Sequence, residues 1–349
     1  MAAERTTSRK GSPKKRTRAL GRATIGDVAR AAGVSPMTVS RALKSPNLVT
    51  PTMRARVARA VEKLGYVPNL AAQTLASARS SLIGVIIPSL SNSVFIETLT
   101  GIRDRLSVAG YQFIIGETLY SPDLERQLLS THLSRAIDGL LVTGVDLDPD
   151  VARSLKNRRI PLVHMFDMSE EAGALSVGFS QTRAGYEVGR HLISRGYRSP
   201  GVIAGQLDPR SLKRRHGFRA ALADAGISQV AEMLTPQPTS IALGGQLLGR
   251  LVGAHPDCDA LFCINDDLAL GALFECQRRG LRVPHDLAIV GFNDLPYARA
   301  CVPAITSVTT PRYEIGFQAA HLLLRRMNGE TIERRAIDLG FQIAARESA

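Results

Sequence analysis

The chain has 349 residues, 44% of them hydrophobic and 21% charged, a composition typical of a water-soluble protein with more than one domain. The formal net charge of +13 lies entirely in residues 1–79, which hold 16 basic and 3 acidic groups, whereas residues 80–349 hold 28 of each. This asymmetry indicates a module that binds a polyanion, joined to one that does not, and argues against a uniformly basic or acidic protein.

The composition also excludes several other classes of protein. The longest nearly apolar stretch, Leu82 to Leu90, contains Pro88 and is far too short to cross a membrane. The four cysteines form no C-x-x-C pair, no histidine stands at metal spacing, and no secretory hydrophobic region is present. We therefore expect a cytoplasmic protein with reduced thiols, without a metal or a cofactor and without a membrane partner.

Residues 1–23 are rich in Arg, Lys, Ser and Thr, and we expect them to form a disordered basic arm. Three short helices are predicted over 24–66. Thr24 and Asp27 resemble a capping box at the start of the first helix, which Gly33 ends. The pairs Ser35–Pro36 and Thr50–Pro51 are typical starts of the second and third helices, and Gly65 ends the third. This arrangement predicts a helix-turn-helix.

The N-terminal end of the second predicted helix has the side chains that a recognition helix needs. Pro36 and Met37 suit contact with the floor of the major groove, while Thr38, Ser40 and Arg41 suit contact with phosphates. The alternative is a small helical cap whose exposed hydroxyls have no role. The local positive charge favours DNA binding.

From Leu82 onward, short β-branched runs such as LIGVIIP, DGLLVTG and LAIVGFND alternate with amphipathic segments of helical length. That alternation predicts an α/β fold with parallel sheets covered by helices on both faces. Eight to ten strands in about 260 residues favour two doubly wound lobes, with a ligand bound between them at the carboxyl ends of the strands.

Two sequence motifs connect this organisation to a known family. The stretch DVARAAGVSPMTVSRAL, followed by VEKLGYVPN, resembles the head of the lactose repressor (LacI/GalR) family, and IGVIIP, IDGLLV, NDDLALGA and LAIVGFND follow in that family's order. The resemblance covers residues 24–345. It implies a helix-turn-helix domain over 24–66, a hinge helix and linker over 67–80, and a periplasmic-binding-protein-like effector-binding and dimerisation domain over 81–345. Crossovers between its lobes are expected near 179, 309 and 330.

The resemblance also implies further DNA contacts, by Thr24, Asn47 and Tyr66 in the head and by Asn69, Leu75 and Ala76 in the hinge. Leu75 would be the wedge that enters the minor groove and kinks the duplex. The alternative for residues 68–77 is a helical linker packed on its own lobe. The expected DNA partner is double-stranded operator DNA, bound by a homodimer, with a tetramer as the alternative.

Candidate effector-binding residues stand at the strand ends where pockets of this family lie. Carboxylates and amides accept hydrogen bonds from sugar hydroxyls, a guanidinium binds a carboxylate, and an aromatic face packs on a carbon skeleton. Asp266 has an alternative role as a helix cap, and Arg214 lies in a run, KRR, that is typical of a solvated face. The candidates are Asn92, Phe95, Glu117, His164, Asp167, Arg214, Phe218, Asn265, Asp266 and Asn293.

Within the family, LFCINDDLALGALFECQRRGLRVPHDLAIVGF and the IDLGF of the tail are most similar to the gluconate operon repressor branch. The resemblance therefore implies a repressor controlled by gluconate or a related sugar acid, with a neutral sugar or a nucleoside as the alternative. A soluble sugar-binding protein would need no basic head. An α/β enzyme has no support in the sequence, which contains no G-x-G-x-x-G after a strand, no P-loop, no G-x-S-x-G and no H-E-x-x-H.

Overall fold

The computed structural model describes residues 23–67 and 80–349, which form two compact units. The basic arm and the hinge helix, predicted for residues 1–23 and 67–80, lie outside the described residues except for Ala23, Val67 and Ser80. None of the helices in the described ranges is long and apolar enough to span a membrane.

The N-terminal unit contains helices α1 (Ile25–Ala32), α2 (Pro36–Lys44) and α3 (Pro51–Leu64), with a 3₁₀ turn at Pro46–Leu48. The predicted caps are confirmed, because the side chains of Thr24, Ser35 and Thr50 accept hydrogen bonds from the backbone at the start of each helix. Gly33 and Gly65 end α1 and α3 in the left-handed conformation. The inner faces of the three helices form a small apolar core of Val28, Ala29, Ala32, Val39, Ala42, Val57 and Ala60.

The C-terminal unit begins with a lobe, lobe 1, built on a wholly parallel sheet. Its strands are β1 (Leu82–Ile87), β2 (Gln112–Glu117), β3 (Gly139–Thr143), β4 (Leu162–Met165), β5 (Ser176–Gly178) and β11 (Ala336–Asp338). Their order across the sheet is β11-β5-β4-β3-β1-β2. The helices are α4 (Val94–Val108), α5 (Pro122–Ser134), α6 (Pro149–Asn157) and α12 (Arg312–Met327).

The second lobe, lobe 2, repeats this design. Its strands are β6 (Pro200–Ala204), β7 (Ala231–Leu234), β8 (Ala260–Cys263), β9 (Ala288–Asn293), β10 (Thr306–Thr309) and β12 (Gln342–Ala344). Their order is β12-β10-β9-β8-β6-β7, and β12 pairs antiparallel to β10. The helices are α7 (Gln181–Ser194), α8 (Pro209–Asp224), α9 (Ile241–Ala254), α10 (Asp266–Arg279) and α11 (Pro296–Ala300). The predicted two-lobed α/β fold is confirmed.

The chain passes between the lobes three times, from β5 to α7, from β10 to α12 and from β11 to β12. The first two crossings lie where the sequence predicts them, near 179 and 309. The third lies at residues 339–341 and not near 330, because β11 still pairs with β5 of lobe 1 and the next strand, β12, pairs with β10 of lobe 2. All three crossings are made by strands at one edge of each sheet.

Glycines let the paired helices of the C-terminal unit approach each other closely. A Cβ at Gly217 of α8 would lie 1.8 Å from the carbonyl oxygen of Thr182 in α7, and one at Gly185 of α7 would lie 1.9 Å from that of Arg214 in α8. Both distances are far below any real contact, so no larger residue fits while the helices keep this separation. The close contact fixes α8, which carries Arg214, against the rest of lobe 2.

Candidate DNA-binding head and effector cleft

The start of α2 presents a large apolar side chain to solvent. Pro36 and Arg41 are exposed, and Met37 has 64% of its surface exposed although it is a large apolar side chain. Thr38 and Ser40 are half-buried, and the Thr38 hydroxyl is paired with that of Ser35 at 2.9 Å. An exposed apolar side chain at the start of a capped helix is suited to contact with base edges.

The other predicted DNA contacts differ in their surroundings. The hydroxyl of Thr24 donates to the Asp27 carboxylate at 2.7 Å as part of the capping box. Asn47 is exposed in the 3₁₀ turn, and Tyr66 is half-buried against the apolar core of the head. Asn69, Leu75 and Ala76 lie outside the described residues.

A cavity of about 40 Å³, the effector cleft, lies among the carboxyl ends of the strands of both lobes. It adjoins a recess of about 470 Å³ that shares four of its residues, namely Tyr120, Gln206, Asp208 and Arg210. The predicted residues that line the cleft are Asn92, Arg214, Asn265 and Asn293. The structure thus brings together these four of the ten candidates.

Arg214 is held in one orientation by groups of lobe 2. Its Nε donates to Oε1 of Gln181 at 2.7 Å, its Nη1 donates to the carbonyl of Ile264 at 3.0 Å, and its guanidinium lies 3.8 Å from the ring centre of Phe292. Gln181 in turn donates to the carbonyl of Phe166 in lobe 1. Burial lowers the pKa of Arg214 to about 10, so the side chain remains charged at pH 7.

Asp208 and Arg210 stand beside Arg214 at the start of α8. Asp208 accepts from the Ser211 hydroxyl at 2.7 Å and from Nε of Arg210 at 3.1 Å. Burial raises the pKa of the Asp208 carboxyl, but the two arginines and Ser211 outweigh it and hold that pKa below its usual value. Two guanidinium groups therefore face one carboxylate in the cleft, which leaves it one positive charge in excess.

Amide and hydroxyl groups complete the lining. Nδ2 of Asn92 donates to the hydroxyl of Tyr120 at 3.5 Å, and burial raises the pKa of that phenol. Oδ1 of Asn265 accepts from the backbone of Leu268 and caps α10. The carbonyl of Asn293 accepts from Arg312. Neutral amide and hydroxyl groups can donate a hydrogen bond to a sugar hydroxyl or accept one from it.

The backbone around the cleft is strained. Tyr120, Phe166, Gln206 and Asn293 line it with φ values of 59°, 68°, 63° and 107°. Residues with a side chain adopt this left-handed region at a cost, and they cluster at binding sites where the surrounding structure imposes the conformation. Each of the four follows or ends a strand, so the sheets set the strained turns.

The remaining candidates do not line the cleft. Phe218 is fully buried against Phe262, and Phe95 packs edge-on against Phe166. Glu117 accepts from the backbone of Leu90. Phe218 and Phe95 therefore pack within the lobes, and Glu117 binds the loop at Leu90.

The ionisable candidates His164, Asp167 and Asp266 also lie elsewhere. Asp266 is fully buried and accepts from the Leu295 backbone and from the Ser307 hydroxyl, both at 2.7 Å. The cap of α10 is Asn265, so the alternative capping role considered for Asp266 belongs to its neighbour. Asp167 binds Lys213 of lobe 2 at 2.5 Å. His164 lines a separate groove on lobe 1.

Sequence reasoning missed Tyr120, Asp208 and Arg210. A signal for two of them is present in the sequence, because Asp208–Pro209 follows β6 after three residues and repeats the cap-plus-proline pattern of Ser35–Pro36. That signal would have placed Asp208 and Arg210 at a strand end. Tyr120 carries no comparable signal.

Comparison with known proteins agrees with this architecture. Residues 24–69 match the family of bacterial regulatory proteins, lacI family, and residues 80–345 match periplasmic binding proteins and the sugar binding domain of the LacI family. The HTH-type transcriptional regulator GntR of Pseudomonas aeruginosa is 45% identical over 335 residues, which cover 96% of this chain and 98% of the relative.

Solved structures extend the comparison. The transcription regulator GntR from Chromobacterium violaceum is 47% identical with a TM-score of 0.75, over 76% of this chain and 98% of that one. The lac repressor dimer bound to operator and the anti-inducer ONPF is 25% identical with a TM-score of 0.81, over 94% of this chain and 99% of that one.

A helix-turn-helix head followed by a two-lobed ligand-binding domain defines a transcription regulator and not an enzyme. The chain belongs to the lacI family of bacterial regulatory proteins and is a transcriptional repressor of that family. Its GntR-named relatives confirm the predicted similarity to the gluconate repressor branch.

Proposed function

We propose that this repressor responds to gluconate or a closely related sugar acid, bound between the two lobes. The observation that carries the proposal is the pair Arg210 and Arg214 beside Asp208, in a cleft whose other lining residues are mostly amides and hydroxyls. The GntR-named relatives support the same class of effector.

The cleft offers a separate partner for each end of a sugar acid. Nη2 of Arg214 makes no hydrogen bond with any described residue, whereas its Nε and Nη1 are used for positioning. An oriented guanidinium with a free N–H binds a carboxylate strongly. Asp208, Asn92 and Asn265 then bind the hydroxyls along the carbon chain.

Operator DNA is the partner of the head. Met37 and Pro36 contact base edges in the major groove, with Arg41, Thr38 and Ser40 on the backbone. The remaining contacts that we propose come from Thr24, Asn47 and Tyr66, and from Asn69, Leu75 and Ala76 of a hinge within 67–80. A homodimer places two heads on a pseudo-palindromic operator in the cytoplasm, and the +13 charge carried by residues 1–79 gives affinity that falls with salt.

The signal from the cleft leaves the effector domain where the chain enters β1. There the Asp138 carboxylate accepts from the backbone of Ser80 at 2.9 Å, from its hydroxyl at 3.1 Å and from the backbone of Ser81 at 2.9 Å. The chain that enters lobe 1 therefore moves with lobe 1. Effector binding rotates the lobes, alters the geometry of the hinge pair and lowers the population of the DNA-binding state.

Fluorescence anisotropy tests both halves of the proposal. The protein is titrated onto a labelled fragment of its own upstream DNA at physiological salt, with and without gluconate, and onto a random fragment of equal length. Tight and selective binding that gluconate weakens supports repressor and effector together. Selective binding that gluconate leaves unchanged rejects gluconate as the effector, and equal affinity for random DNA rejects an operator within that fragment.

A further inference from the structure

In lobe 1, the strand β4 is connected to β5 by a loop and not by a helix. On the face that carries α5 and α6, the side chains of Ile86, Leu140 and Val142 are buried under these helices, together with Leu129 and Leu155. The strands β4 and β5 beyond α6 are joined by a loop, residues 166–175, that contains no helix. The loop leaves a groove between itself and α6.

This lobe 1 groove has a volume of about 630 Å³, within the range of sites that bind drug-sized molecules. Most of its lining residues are apolar, and the half-buried Leu147, Ile160 and Leu162 contribute accessible apolar surface. Apolar surface of this extent gives a ligand with an apolar body a favourable free energy of burial. The full lining is Val145, Leu147, Ala152, Leu155, Lys156, Arg159, Ile160, Pro161, Leu162, His164, Glu171, Ala172, Gly173, Ala174, Leu175 and Arg326.

Three cations lie at the rim of the lobe 1 groove, namely Lys156, Arg159 and Arg326. All three are exposed, and their side chains form no ion pair or hydrogen bond with any described residue. Glu171 is the one carboxylate among the lining residues. An apolar floor with an excess of two positive charges fits a ligand that carries a negative group on an apolar body.

One loop, residues 144–148, separates the lobe 1 groove from the recess beside the effector cleft. Leu147 lines both the groove and the recess beside the cleft. His164 lines the groove, and its Nδ1 lies 2.8 Å from the carbonyl oxygen of Gly144, which lines the recess. Burial lowers the pKa of His164, so the ring is neutral at pH 7 and acts as a hydrogen-bonding group. A ligand in the groove would contact one side of the loop whose other side lines the recess beside the cleft.

From the apolar floor, the unpaired rim cations and the shared loop we infer that the lobe 1 groove is a second ligand site, for a small amphipathic anion. It takes a molecule with a ring or branched apolar body and one sulfonate, carboxylate or phosphate group. The apolar body lies on Leu147, Ile160 and Leu162, and the anionic group lies against Lys156, Arg159 and Arg326. The site is separate from the sugar-acid site and does not depend on the identity of that effector.

The probe for this site is 8-anilino-1-naphthalenesulfonate, an aromatic anion whose fluorescence rises when it leaves water. The chain contains no tryptophan, so Ala172→Trp, at an exposed position in the groove lining, places a single donor for energy transfer to the probe. Phe274→Trp, on α10 of lobe 2, is the matched reporter because Phe274 is also partly exposed but does not line the groove. We expect stronger energy transfer from position 172 than from position 274.

A charge-reversal variant tests the role of the cations. Lys156→Glu, Arg159→Glu and Arg326→Glu together should weaken binding of the probe about tenfold, a modest factor for each exposed charge. The matched control carries the same change in net charge on exposed arginines of lobe 2: Arg183→Glu, Arg198→Glu and Arg250→Glu. N-phenyl-1-naphthylamine, the same ring system without the sulfonate, should bind both variants alike.

Each outcome decides the inference. Preferential transfer from position 172, loss of affinity in the groove variant but not in its control, and no displacement by saturating gluconate would support it. Equal transfer from both reporters, equal affinity in both variants, displacement by gluconate or absence of probe binding would overturn it. Circular dichroism melts show whether the reversed variant is folded, and the glutamine variants at the same three positions replace it if it is not.

Discussion

The role of Arg214 gives the sharpest prediction. Arg214→Met keeps an unbranched side chain of similar length over Phe292 but removes the guanidinium, and with it the free Nη2 that faces the cleft. Arg215→Met is the matched control, because Arg215 is the next residue of α8 yet pairs with Glu232 at 2.5 Å and does not line the cleft.

The expected loss follows from the contact removed. A hydrogen bond between charged groups contributes about 1.5–3 kcal/mol, which corresponds to a roughly 10- to 150-fold weaker affinity for gluconate. The affinity for glucitol, which has the hydroxyls but no carboxylate, should change much less. Arg215→Met should change both affinities by no more than about twofold, or about 0.4 kcal/mol, because Arg215 does not line the cleft.

Isothermal titration calorimetry measures the affinities, and chemical denaturation checks the fold. The second measurement is needed because Arg214→Met also leaves the Ile264 carbonyl and Oε1 of Gln181 without a donor, at a cost of about 1–3 kcal/mol each in the free energy of unfolding. If folded Arg214→Met bound gluconate as the wild type does, Arg214 would not be the carboxylate ligand.

Three further predictions concern packing, pH and DNA. Gly217→Ala should lower the free energy of unfolding by about 1–3 kcal/mol, because its Cβ would lie 1.8 Å from the Thr182 oxygen, whereas Gly253→Ala, with nothing within 4 Å, should raise it by about 0.5–1 kcal/mol in urea titrations. Burial raises the pKa of Asp266 to about 7. Its carboxyl therefore takes up a proton on folding between about pH 4 and pH 7, and stability falls as the pH rises through that range, by up to ~1.4 kcal/mol per pH unit. In denaturation curves across this range, Asp266→Asn should show a flatter dependence. Met37→Ala, at a 64% exposed position, should weaken operator binding by about 1 kcal/mol and leave binding to random DNA unchanged in anisotropy titrations.

Each of these has a contrary result. Equal stability of the two glycine variants would mean that α7 and α8 separate freely. A wild-type pH profile that matches that of Asp266→Asn would show that Asp266 has the same pKa in the folded and unfolded protein. Equal loss of specific and random binding in Met37→Ala would place Met37 away from the bases.

The sequence predicted best the elements whose signals are local. A cap residue begins each helix of the head, a proline follows the cap in α2 and α3, and a glycine ends α1 and α3, so most of their limits follow from residues such as Ser35, Pro36 and Gly33. Buried strands such as Leu82–Ile87 were equally clear, because five of their six residues are buried apolar groups.

Strands whose pairing depends on distant residues were not predictable in this way. β7, β11 and β12 lie at sheet edges with three or four residues and partial exposure, and β10 reads TSVT, so hydrophobicity marks none of them. Pairing of β11 with β5 joins residues about 160 positions apart, which no local pattern reports. For the same reason the third crossing, predicted near 330, lies later in the chain, at residues 339–341.

In the candidate site too, local position along the chain was predictable, whereas features that depend on distant residues were not. Asn265 and Asn293 are predicted because they stand at strand ends, and Arg214 because it lies on the helix that follows a strand; the fold brings these positions together. Phe218 and Asp266 stand at comparable positions but point into the core, and side-chain direction depends on packing partners that the sequence does not name. The positions of Asp208 and Arg210 can be predicted only if the pair Asp208–Pro209 is recognised as the start of α8.

Because the three crossings lie at one edge of each sheet, a small rotation of the lobes about them gives a large displacement at the opposite edge. The crossings use strands at one edge of each sheet, whereas β1, through which the chain enters lobe 1, lies four strands away from β11. At a spacing of about 4.8 Å between strands, that is an arm of roughly 19 Å. A rotation of 10° about the crossings would displace the start of β1 by about 3 Å, close to the rise of one residue in a strand. A change too small to alter the packing inside either lobe is thus magnified at the point where the chain leaves for the head.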